Sequence, residues 1–166
     1  MEVSNLCVAV VTPNRFDGRI IVELLRDAGV ISARLFTDSE AAFAKAACER
    51  TDVIIIAMEA APMDGLAWVR ALRRERDARS RKAPVFLLAR NLTAPIAESC
   101  RRAGANAVIG MPVSNATVLN TIRKVLDKPR PFVEGEAYVG PCRRAGIVVA
   151  GAGSRRRRSD TASAAR

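Results

Sequence analysis

Val53-Ile54-Ile55-Ile56-Ala57 is an unbroken apolar run, mostly β-branched, entered from Asp52. A run of this length without polar alternation suits a strand buried on both faces. Such a strand needs helices above and below it, which is the arrangement of a parallel α/β sheet.

The neighbouring sequence supplies those helices. Leu6 to Val11 reads as a strand closed by Thr12-Pro13-Asn14, and Phe16 to Ala28 carries Ile20, Ile21, Leu24 and Leu25 at helical spacing, with Gly29 as a stop. Ala33 to Phe36 is a second strand. Thr37, Asp38 or Ser39 caps a helix running to Cys48. Asp64-Gly65 opens a third helix with Leu66, Val69 and Leu72 inward. Val85 to Ala89, Ala94 to Ala103, Asn106 to Ile109 and Asn115 to Leu126 complete the alternation. The pattern predicts an α/β fold, a (βα)₅ doubly wound parallel sheet of five strands with right-handed crossovers.

The character changes after Leu126. Residues 1–128 form the expected domain, and residues 129–146, rich in proline and glycine, form an extended segment that Phe132, Val133, Tyr138 and Val139 pack onto it. Residues 147–166 are expected to be a disordered, arginine-rich tail, with Ile147-Val148-Val149-Ala150 either a short strand or an accidental apolar patch. Of the net charge of +10, residues 143–166 contribute seven arginines against Asp160 alone, which implies an anionic partner.

In an open α/β sheet the ligand crevice lies beyond the carboxyl ends of the strands. The residues there are Thr12-Pro13, Thr37-Asp38, Ala57-Met58-Glu59, Ala89-Arg90 and Gly110-Met111. They supply no carboxylate cluster for a magnesium ion, no lysine and no activated nucleophile. With no histidine in the chain, a Ser-His or Cys-His pair and a phosphohistidine relay role are both excluded. Cys7, Cys48, Cys100 and Cys142 form no CxxC pair, so zinc is not expected and four reduced, mostly buried thiols are. Thr12-Pro13-Asn14-Arg15-Phe16 lacks the Ser, Thr and Gly of a flavin phosphate loop. No run is long enough to span a bilayer, and Met1 to Asn5 does not begin a signal peptide, so the expectation is a cytoplasmic protein without a membrane span.

Asp52 to Ala57 with Pro62-Met63-Asp64-Gly65-Leu66 resembles the third strand and following loop of bacterial response-regulator receiver domains of the CheY type. Pro84 to Ala89 resembles their fourth strand, and Ala103-Gly104-Ala105 through Met111-Pro112 the segment around their fifth. The resemblance spans residues 6–127 and implies strand order 2-1-3-4-5. Pro129 to Val133 and Tyr138 to Arg144 resemble an extension found on some alphaproteobacterial receivers. What the family uses is missing position by position. The two metal-holding acids fall on Thr12 and Pro13, the phospho-accepting aspartate on Ala57, the switch Ser/Thr on Ala89 and the phosphate-pairing lysine on Met111. A phosphoryl group is transferred only where metal and lysine offset its charge. The resemblance therefore implies a degenerate pseudo-receiver: not an enzyme, with no magnesium site, acting through a kinase, motor or regulatory protein in two-component phosphorelay, motility or cell-cycle control.

The family's usual partner face would present Arg90, Arg101, Arg102, Asn106, Met111 and Asn115. Arg70, Arg73, Arg74, Arg76, Arg79, Arg81 and Lys82 read as a solvated helix face and the loop after it. The alternative function is binding of cyclic di-GMP or another nucleotide through arginines. Arg74 to Asp77 and Arg157 to Asp160 both spell RxxD, and Arg143, Arg144, Arg155, Arg156, Arg157 and Arg158 are the further candidates.

Overall fold

Apolar runs and polar caps alternate through the chain, and the computed structural model, which describes residues 3–151, turns each into an element. They are β1 (Cys7–Val11), α1 (Arg15–Asp27), β2 (Ser32–Phe36), α2 (Ser39–Cys48), β3 (Val53–Ala57), α3 (Gly65–Arg74), β4 (Val85–Ala89), α4 (Ala94–Ala103), β5 (Ala107–Gly110) and α5 (Asn115–Asp127). Five polar residues set the helix starts. Asn14, Asp38, Asp64, Thr93 and Ser114 each accept a backbone N–H of the first turn, a donor that would otherwise be left without a partner. Because each cap sits a few residues past a strand, each helix turns back along the sheet at once.

The sheet order is β2-β1-β3-β4-β5, with every neighbouring pair parallel. The order reverses between β1 and β3, which places the crevice of a doubly wound fold at the carboxyl ends of those strands. Five strands were expected; the sheet has six. β8 (Val148–Gly151) pairs in parallel with β5, Val148 opposite Ala107 and Gly151 opposite Gly110. The boundary expected at residue 147 therefore falls at the start of an ordered strand. Ile147 packs against the layer of α2, α3 and α4, and Val148 against that of α1 and α5, so the segment extends both halves of the core. Its four-residue parallel pairing with β5 decides between the two readings open for this apolar stretch. Residues 152–166 lie outside the described residues.

Between α5 and β8, β6 (Phe132–Glu134) and β7 (Val139–Pro141) form an antiparallel hairpin, followed by a 3-10 turn at Arg143–Ala145. Of the residues expected to hold this segment to the domain, Phe132 lies under the guanidinium groups of Arg73 and Arg81, at 5.8 and 5.5 Å, and arginines add polar contacts. Arg130 donates to the carbonyls of Ala105 at 2.9 Å, Asn106 at 3.1 Å and Cys142 at 3.3 Å, and to that of Gly146. Arg81 pairs with Glu134 at 3.1 Å.

A third arginine corrects the reading of α3 as bearing a wholly solvated basic face. Arg73 is 1% exposed. Its guanidinium donates to the carbonyls of Gly104 at 3.0 Å, Ala83 at 2.8 Å and Arg81, and to Asn106 Oδ1 at 3.0 Å. Burial lowers its pKa to about 10, yet carbonyl dipoles on all sides keep the cation tolerable. Gly104 ends α4 with φ +102°, and a Cβ there would meet Arg73 Cγ at 3.1 Å and the Val139 carbonyl at 3.2 Å. Only glycine fits the left-handed turn and the close approach together. The thiols also depart from expectation. All four are free, but only Cys100 is buried and Cys48 is exposed. Burial pushes the Cys100 thiol up to about 11.

Candidate functional site

Parallel pairing of β1, β3, β4 and β5 brings their carboxyl ends to one edge. Thr12 follows β1, Ala57 closes β3, Ala89 closes β4 and Met111 follows β5. Thr12, Ala57 and Ala89 are each 2% exposed, so the floor of the crevice is a hydroxyl and two methyl groups. The Thr12 hydroxyl is engaged locally, accepting the backbone N–H of Asn14 at 3.3 Å. Met111 hydrogen-bonds through its backbone to the Ala89 carbonyl at 2.8 Å and brings a thioether, not an ammonium, to this edge. α3 begins hard against the end of β3: a Cβ on Gly65 would lie 2.6 Å from the Ala57 carbonyl oxygen, so glycine there closes the crevice from below.

Four of the five positions named for the degenerate acceptor site, Thr12, Ala57, Ala89 and Met111, thus stand at the strand ends themselves. Pro13 is exposed beside Thr12. Mg²⁺ takes a near-octahedral oxygen shell with one or two carboxylates. The donors here do not fit it, and among the described residues no group of three or more His, Cys, Asp or Glu side chains could hold a metal.

Charge enters only at the rim. Arg90, just past β4, donates through Nη2 to Asp17 of α1 at 2.6 Å and through Nε to Glu59 of the β3–α3 loop at 3.0 Å. The two carboxylates raise its pKa. One guanidinium thereby ties together three segments that flank the crevice. Glu59, among the residues expected beyond the strand ends, is part of this clasp. Its signal in sequence was only its place two residues after Ala57.

The expected partner face does not assemble as expected. The edge of β5 is taken by β8. Asn106 is buried, because its amide oxygen accepts both Arg73 and the backbone N–H of Val85 at 3.1 Å. Arg101 and Arg102 lie at the end of α4, paired with Glu98 at 2.6 and 2.8 Å, whereas Asn115 begins α5 with its Oδ1 buried and unpartnered. Arg90 is in the rim clasp. Of the nucleotide candidates, Arg74 is exposed at the end of α3 and Asp77 in the loop after it, with no ion pair between them. Arg143 and Arg144 stand in the 3-10 turn beside Arg101 and Arg102. Arg155, Arg156, Arg157, Arg158 and Asp160 lie outside the described residues.

A family model described as the response regulator receiver domain matches residues 8–123. Among solved structures, the chain is similar to the chemotaxis response regulator CheY4 of Vibrio cholerae, with 25% identity and a TM-score of 0.66 over 72% of this chain and 98% of that one. It is also similar to the receiver domain of a sensor histidine kinase from Pseudomonas aeruginosa, determined with a magnesium ion in its active-site cleft, at 23% identity and TM-score 0.66 over 74% of this chain and 98% of that one. The Francisella response regulator 1452 receiver domain matches at 17% identity and TM-score 0.66, with the same coverage. The last two likenesses speak to the fold alone. No curated protein matches the sequence.

Proposed function

The chain belongs to the response regulator receiver domain family, and from that membership we propose that it signals by binding a partner protein without accepting a phosphoryl group. Receiver domains serve two-component signalling as modules that meet kinases and other regulatory proteins. The observation that carries the finer reading is the methyl floor of the crevice. The Ala57 side chain has no oxygen to attack phosphorus, and it is buried where an acceptor would have to meet its donor. Thr12 and Pro13 offer no negative charge for a metal, and Met111 offers no positive charge for a phosphoryl group. An acyl phosphate formed in such a place would be stabilised by neither.

A receiver that switches has two states, and the phosphoryl group biases one of them. Here the rim segments are already joined by an internal ionic contact, the Arg90 clasp. The contact is exposed to water, which screens it, so its worth is small. Any bias between states therefore comes from whatever binds the surface. That surface differs from the family's usual one, since a partner approaching between α4 and α5 meets β8 in place of the β5 edge. Among the described residues no helix is long and apolar enough to cross a membrane.

The test is capture of partners from the native cell by the full chain, with and without acetyl phosphate and Mg²⁺. The same partners are expected under both conditions. A partner held only after acetyl phosphate treatment of this chain would overturn the reading.

A further inference from the structure

Four other clefts among the described residues each contain at least one acid beside their cations. The one lined by Arg74, Arg76 and Arg81 also contains Glu134 and Glu136, and the one beside Arg50, Arg79 and Lys82 contains Asp52. The cleft between α3, α4 and the C-terminal extension is different. It is lined by Arg70, Arg101, Arg102, Arg143, Arg144 and Tyr138, with no acid among its lining residues.

Several of these arginines are held in place. Glu98, behind the cleft, binds Arg101 and Arg102 together. Arg101 also donates to the Arg143 carbonyl at 3.0 Å, which fixes the 3-10 turn against α4. The Arg143 guanidinium lies over the Tyr138 ring at 4.3 Å. Neither Arg70 nor Arg144 forms an ion pair with a described residue, and both are exposed. Five guanidinium groups from three separate chain segments thus converge with one carboxylate to offset them.

Clustered cations repel one another, and a bound anion relieves that repulsion. The guanidinium fork matches phosphate oxygens two at a time. The cleft measures about 600 Å³, within the usual range for small-molecule sites. Its cations come from α3, the end of α4 and the 3-10 turn, a cluster drawn from three segments and not a row along one element. We propose that this cleft binds a small anion carrying at least two phosphate groups, of the nucleotide class. The site stands apart from the methyl-floored crevice and does not depend on the partner-binding reading. The residues that line it all precede β8, so the site is drawn without the arginines of residues 155–158.

Isothermal titration of the full chain with pyrophosphate and with cyclic di-GMP, at low salt, tests this. At least one probe is expected to bind. The double variant Arg70→Gln/Arg144→Gln touches only exposed side chains, so it should keep its circular dichroism melt and weaken binding by at least about tenfold, the loss of roughly one charge-assisted hydrogen bond. A full-length variant with Arg155, Arg156, Arg157 and Arg158 changed to Gln should bind as the parent does. Silence from both probes would overturn the proposal. So would binding that survives the double variant, binding lost only in the 155–158 variant, or tighter binding of a short duplex DNA than of either small probe.

Discussion

Arg73 donates through Nη2 to Asn106 Oδ1 at 3.0 Å, and both residues are buried. The same amide oxygen accepts the Val85 N–H, so this pair joins α3 to the starts of β4 and β5. Replacing Arg73 by Met leaves the carbonyls of Gly104, Arg81 and Ala83 without this donor and Asn106 Oδ1 with the Val85 N–H alone. Unsatisfied buried acceptors cost about 1–3 kcal/mol each before relaxation. Arg73→Met is therefore expected to lose about 3 kcal/mol of unfolding free energy in urea. Arg73→Lys should not rescue it, since one ammonium cannot reach the positions of a planar fork.

Arg130 makes a second set of carbonyl contacts, and these link residues 142 and 146 to residues 105 and 106. Arg130→Ala is expected to loosen the hairpin and β8 and leave the central strands intact. In native-state hydrogen exchange the amides of residues 139–151 should lose about tenfold or more in protection, the equivalent of about 1.4 kcal/mol. Those of β3 and β4 should not change.

Glu98 sits between Arg101 and Arg102, whose hydrogen bonds lower its pKa to about 2. A carboxylate with a depressed folded pKa stabilises the fold above its unfolded value, and that contribution fades as pH falls from the ordinary glutamate range toward 2. The Glu98 side-chain carbon shift should titrate near 2 in the parent. In Arg101→Gln/Arg102→Gln its midpoint should rise toward the ordinary range. Because the group is exposed, added salt should shrink the difference.

Ala57→Asp returns only one of the missing groups. The new carboxylate would be buried with no cation assigned to it, at a cost of about 3 kcal/mol. No phosphoryl adduct is expected in the intact mass after acetyl phosphate and Mg²⁺, because Thr12, Pro13 and Met111 still supply neither metal ligands nor a countercharge.

Much of this was legible in sequence where side-chain chemistry is local. Val53 to Ala57 announced a doubly buried strand, and the ends of the expected strands put Thr12, Ala57, Ala89 and Met111 at one edge. Asp38, one of three caps considered, is the cap observed. What stayed hidden depends on contacts between distant segments. Arg73 follows Leu72 and lies four residues after Val69 on the inward stripe of α3, and that position was the available signal. A charged residue reads as solvated until the carbonyls of residues 81, 83 and 104 converge on it. Asn106 reads as a surface amide until those same partners bury it. β8 has four residues and two glycine or alanine positions, too little intrinsic preference to declare a strand, and its pairing with β5 crosses nearly forty residues. The Arg90 clasp joins α1, β3 and β4 across the top of the sheet, so no local pattern could have shown it.

The central claim is that the crevice accepts no phosphoryl group, and beryllofluoride with Mg²⁺, the stable mimic of that group, tests it most directly. The amide NMR spectrum of the full chain, recorded with and without the reagent, should be unchanged at Thr12, Ala57, Ala89 and Met111. Chemical shift changes clustered at the ends of β1 and β3 would contradict the account.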